Sequence, residues 1–191
     1  MASKITPELK EAILMLPEKE KDKLLLRLIA KDETLTAKLR HQLLEDDSDM
    51  EMRRDQLKES ALQVFSRKDF HQWSYTPGLV MMVLRDFSGA ISKHVKITRD
   101  KYGEVQLLIL LVNLAFRKQR GILYKHEHRA DKFAAYVCRK AQLALNKLQK
   151  LDLDYYIEFE KDINEMLAHL KEYPPTRRIM SDYHLPARWE Y

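Results

Sequence analysis

Apolar side chains recur at spacings of three and four along nearly the whole chain, the period that gathers them on one face of an α-helix. Thr6-Pro7 supplies a capping hydroxyl and then the proline that suits a first helical position, which predicts a short helix to about Met15. Pro17 restarts a second helix with Leu24, Leu25, Leu28 and Ile29 on its apolar face. Lys31-Asp32 ends it before a third helix carrying Leu35, Leu39, Leu43 and Leu44. The run Glu45-Asp46-Asp47-Ser48-Asp49 marks the best boundary in the chain. Its carboxylates suit the start of a helix over about 50–67, with Leu57, Ala61, Val64 and Phe65 inward.

Phe70, Trp73 and Tyr75 crowd the next connection, after which Thr76-Pro77 opens a helix through Leu79, Val80, Val83, Leu84, Phe87, Ile91 and Val95. Gly89 is a point where that helix could bend or be approached closely. Residues 100–103 read as a turn. The segment 105–116 is apolar on nearly all sides and is expected to be the most buried helix, ended by Gly121 behind Arg117, Lys118 and Arg120, cations that complement a helix C-terminus. A helix over 125–150 and a short turn at Leu151-Asp152-Leu153 lead to a last helix, 154–172. That helix carries Tyr156, Phe159, Ile163, Met166, Leu170 and Tyr173 as a coiled-coil-like seam. Pro174-Pro175 stops it. The expected fold is all-α: an irregular multi-helix bundle over 48–173, a small N-terminal helical subdomain over 1–47, and an extended aromatic and Arg-bearing tail over 174–191.

Composition agrees with this pattern. Only 4 Gly and 6 Pro occur in 191 residues, too little turn chemistry for a strand-dense fold. The net charge of +5 is concentrated in 51–122, which holds 13 basic and 7 acidic residues. A pI near 9.1 permits binding to nucleic acid or another polyanion, and it is equally ordinary solubility. Cys138 is the only cysteine, so no intramolecular disulfide forms, and a buried thiol in a reducing compartment is expected. The first residues lack the apolar core of a signal peptide, and the longest apolar stretch, about 12 residues, is too short to span a bilayer. These features predict a soluble cytoplasmic protein without membrane association.

On a helical wheel, 125–150 places Lys125, Arg129, Lys132, Arg139, Lys140, Lys147 and Lys150 on one arc with no carboxylate among them. Such a stripe expects an acidic partner, because like charges at helical spacing repel. Asp154, Glu158, Asp162, Glu165 and Glu172 form an acidic stripe on the following helix. Two helices joined by so short a turn are expected to lie antiparallel, which would let the stripes face each other. An external polyanion would instead use Lys125, Arg129, Lys132, Arg139 and Lys140 around Tyr136.

Residues 9–29 resemble the opening of the DNA-binding region of sigma factors. Residues 30–50 contain no glycine for the turn that should precede a recognition helix, so the family is not assigned. His126-Glu127-His128 with Asp131 groups four possible metal ligands within six residues. On a helix, though, the two histidines diverge, and no metal or other cofactor is expected. His71 and His94 stand alone.

No nucleophile, base and oxyanion donor can be assembled from spacing, which excludes an assignable catalytic site. Gln106 and Asn113 share a face of the buried helix, where a register-fixing hydrogen bond is the expectation. Tyr183, Trp189 and Tyr191 are candidate anchors for the tail, on the bundle or on a partner. The reading is a non-catalytic protein that binds a protein partner or a second copy of itself, with nucleic-acid or polyanion binding through the basic face of 125–150 as the alternative.

Overall fold

The computed structural model describes residues 5–67 and 76–190, so Phe70, His71, Trp73, Tyr75 and Tyr191 lie outside the described residues. All regular structure among the described residues is helical, and the chain divides after Leu44 into two compact units.

The first unit holds α1 (Pro7–Met15), α2 (Glu18–Ile29) and α3 (Glu33–Leu44). Thr6 caps α1, its Oγ1 accepting from the Leu9 amide at 3.3 Å. Asp32 caps α3, its Oδ1 accepting from the Thr34 and Leu35 amides at 2.9 and 3.0 Å. The Thr36 hydroxyl donates to the Ile29 carbonyl at 2.7 Å and ties α3 to the end of α2. None of the three helices has a buried residue.

The second unit begins with α4 (Asp47–Ser66), followed by α5 (Pro77–Thr98), α6 (Lys101–Lys125), α7 (Asp131–Leu148), α8 (Asp154–Glu172) and the single turn α9 (Pro174–Arg177). The start of α4 lies before the expected residue 50 because Asp46 and Asp49 close a reciprocal capping box. Helix α6 is central, packing against α4, α5, α7 and α8. Leu107, Leu108, Ile109, Leu111, Val112, Leu114, Ala115 and Phe116 are all buried on it. Leu110 is only partly buried. At its C-terminal half, the rings of Phe116, Phe133, Tyr124 and Tyr173 meet at centroid distances of 5.2 to 6.3 Å. The Tyr173 hydroxyl donates to the Leu123 carbonyl at 3.0 Å, and burial pushes its phenol up.

Four local expectations are corrected. The 100–103 turn is shorter than expected: Arg99, at φ 62, reverses the chain, and Asp100 already caps α6 by accepting from the Gly103 amide at 2.7 Å. Gly121 does not end α6, which kinks at Gln119 and continues to Lys125 because Leu123 is fully buried and holds it in the core. The expected helix 125–150 is two pieces. The chain leaves α6 at His126, makes one 3₁₀ turn at Glu127–Arg129, and restarts as α7 behind the buried Ala130. Finally, Gly89 neither bends α5 nor admits a neighbour; a Cβ built there meets nothing within 4 Å.

Candidate interaction surfaces

Because the 125–150 segment is broken, its cations divide. Lys125 ends α6 and Arg129 ends the 3₁₀ turn, whereas Lys132, Arg139, Lys140 and Lys147 lie on α7. Lys147 is paired, its Nζ 2.8 Å from Glu104 of α6. Lys132 and Arg139 are exposed and Lys140 is partly buried, and among the described residues none of the three has an ion pair within 4 Å.

Tyr136 organises this face. Its hydroxyl shares a hydrogen bond with Ser88 of α5 at 2.8 Å and donates to the Leu84 carbonyl at 3.3 Å. The guanidinium of Arg85, from α5, lies 5.7 Å from the ring centroid and the Lys140 ammonium 5.4 Å from it, both within cation–π range. Burial depresses the Lys140 ammonium, and the charge of Arg139 depresses it further, while Glu104 opposes both. Arg85 was not among the residues singled out by spacing, since 51 positions separate it from Tyr136 and no local pattern joins them.

The acidic stripe of α8 does not cover this face. Arg117 of α6 makes a bidentate contact with Glu165, Arg120 pairs with Glu172, and the Tyr102 hydroxyl donates to Glu158 at 2.8 Å. Burial, and then the Glu158 carboxylate, push the Tyr102 phenol up to about 12. Arg117 and Arg120 thus act across the α6–α8 seam and not merely as complements to their own helix terminus. The facing-stripes expectation fails because α7 and α8 each pack mainly on α6 and meet each other little. Asn113 supplies the register bond of that seam, its Nδ2 donating to the Asp162 carbonyl at 3.0 Å.

The C-terminal segment lies on the same unit. Trp189 is 9% exposed, its ring 5.8 Å from that of Tyr156. Asn164 clamps its backbone from both sides, accepting from the Trp189 amide at 2.9 Å and donating to its carbonyl at 3.3 Å. Tyr183 is partly buried, and its carbonyl accepts from Gln142 of α7 at 3.0 Å.

Two further polar groupings are resolved. Glu127, His128 and Asp131 line a cleft of about 470 Å³ with Tyr124, Lys125 and Arg178, and Arg178 pairs with Glu127 at 3.7 Å. Two cations in the lining oppose a metal ion there, and among the described residues no three His, Cys, Asp or Glu side chains converge on one point. At the α5–α6 turn, Asp100 is almost fully buried and receives His94 Nε2 at 3.2 Å and Arg54 Nη1 at 3.5 Å. Burial alone would raise the Asp100 carboxyl; its contacts with His94, the Gly103 amide and Arg54 outweigh that and hold it below the ordinary carboxylate value. Cys138 is buried, and burial followed by the charge of Asp182 pushes its thiol up to about 12, which leaves a protonated, poorly nucleophilic sulfur. No described helix is long and apolar enough to cross a membrane.

The first unit presents the opposite kind of surface. Leu9, Leu14, Leu25, Leu26, Leu28, Leu43 and Leu44 are each more than half exposed, as is Met15. Comparison with known proteins finds no matching family model, curated sequence or solved structure.

Proposed function

We propose that this is a non-catalytic protein that binds a protein partner through the leucine-bearing helices α1–α3. The observation that carries this reading is that three amphipathic helices bury none of their own side chains while leaving a series of leucines more than half exposed. A unit of this size has too little interior to stabilise itself, and many large exposed apolar side chains on one small unit suit an interaction site. The lysines and glutamates of α2 suit the polar rim of a helix-in-groove contact.

The test is a pair of full-length proteins, wild type and Leu25→Glu/Leu28→Glu, compared by light scattering over a range of concentrations and by affinity capture from the native cell extract. The reading expects a self-complex or a stoichiometric captured protein with the wild type, lost in the variant while the circular dichroism of the bundle is kept. A wild-type chain that stays monomeric and captures nothing dependent on those leucines rejects it.

A further inference from the structure

We propose that the α5–α7 face around Tyr136 binds a linear polyanion, a nucleic-acid backbone whose phosphates contact Arg85, Lys132, Arg139 and Lys140. This surface is separate from the leucines of α1–α3 and does not depend on the reading given for them.

The first support is convergence without neutralisation. Cations from two helices are brought against one ring, and among the described residues none of the four makes an ion pair, whereas Arg53, Arg54, Arg117, Arg120 and Lys147 all do. The acid whose charge reaches Tyr136 is Asp86 and the one that reaches Lys140 is Glu104, which is itself held by Lys147 at 2.8 Å. A surface that crowds Lys140 against Arg139 without a counterion holds unspent electrostatic energy, which a phosphate would release.

The second support is preorganisation. Tyr136 is fixed by hydrogen bonds to Ser88 and to the Leu84 carbonyl, so Arg85 and Lys140 rest on a rigid seat and lose less freedom on binding. With a cation against it from each of two helices, the ring serves as that seat and not as a base-stacking platform. The contact is therefore expected to be indifferent to base sequence.

The third support is shape. The cavity beneath the cluster, lined by Leu84, Ser88, Leu108 and Val112, is about 10 Å³, room for one water and too small for a phosphate. The anion must lie across the surface. Lys132 and Arg139 are seven residues apart on α7, about 10 Å at 1.5 Å per residue, a length that matches roughly three nucleotide steps of 3.4 Å measured along a duplex axis. An extended ligand satisfies that spacing and a compact one does not.

The experiment is fluorescence anisotropy of a labelled short DNA duplex and its single strand with the full-length protein, from about 50 to 200 mM KCl, where four phosphate contacts predict about a hundredfold loss of affinity for the duplex. Lys132→Gln/Arg139→Gln changes two exposed side chains. It should weaken binding at least about tenfold at the lower salt and reduce the salt slope by about 2. Lys118→Gln/Lys171→Gln, which removes the same charge from exposed positions on α6 and α8, should leave binding as it was.

No binding at the lower salt, or equal losses in both pairs of substitutions, overturns the proposal. So does binding to phosphatidylserine-containing vesicles, lost in Lys132→Gln/Arg139→Gln, by a protein that ignores DNA, since that assigns the face to a membrane surface.

Discussion

At the residue scale, the α5–α6 turn concentrates the strictest steric demand. A Cβ on Gly103 would sit 2.0 Å from Asp100 Oδ2 and 2.7 Å from Arg54 Cδ, so the first turn of α6, the carboxylate that caps it and the arginine behind it fit only around a glycine. Gly103→Ala should cost about 1–3 kcal/mol in urea denaturation, the usual penalty for overpacking. Gly89→Ala and Gly121→Ala, both helical with open space at the Cβ, should instead stabilise by about 0.5–1 kcal/mol. The same turn confers a pH dependence. Asp100 is held below its ordinary value in the fold by His94, Gly103 and Arg54. Its stabilisation is therefore full above the unfolded carboxylate value and lost as pH falls through the folded one. Asp100→Asn should cost about 1–3 kcal/mol at neutral pH, and its deficit against the wild type should shrink toward about pH 3. Denaturation curves at both pH values check the sign, and a deficit that grows on acidification rejects it.

At the element scale, α6 carries the core, and the cost of truncating it should follow the burial of each position. Leu114 is 1% exposed and Leu111 4%, so alanine at either should cost about 2–5 kcal/mol. Leu110, partly buried, should lose visibly less. Equal losses at positions 110 and 114 would show that α6 is not the central helix of the bundle. The residue pattern of 105–116 announces this helix, because a segment apolar on all sides has nowhere else to go. The kink at Gln119 was not legible. It accompanies a hydrogen bond from Gln119 Nε2 to the Phe65 carbonyl at 3.0 Å, a partner 54 residues away.

At the scale of the whole molecule, the C-terminal segment and the first unit should behave oppositely on removal. Trp189 is buried against α8, so Trp189→Ala should lower the stability of the bundle by an amount toward the lower end of about 3–5 kcal/mol. Its Nε1 is buried without a hydrogen-bond partner, so Trp189→Phe forfeits no bond and should cost much less. Deleting residues 1–44, by contrast, removes a unit with no buried side chain among its described residues. Thermal unfolding of 45–191 should keep its midpoint within a few degrees, while the partner contact proposed for α1–α3 should be lost.

Near-neighbour chemistry was legible along the chain. Helical periodicity, Thr6-Pro7, Thr76-Pro77, the acidic run before α4 and the scarcity of glycine depend on near neighbours, and from them the all-α class, most helix positions and the buried identity of 105–116 follow. Tertiary structure decided the rest. Residues 126–130 contain neither proline nor glycine, so nothing local marks the break between α6 and α7; it is set where Ala130 and Phe133 enter the core. Which acids meet which cations was equally invisible, because the α8 stripe could face either neighbour until packing placed it on α6. Arg85 and Tyr136 become one surface only through the α5–α7 contact. Period and capping are read within a turn or two of helix, whereas burial, charge pairing and surface assembly depend on which helix lies alongside, and that choice is made by the whole core at once.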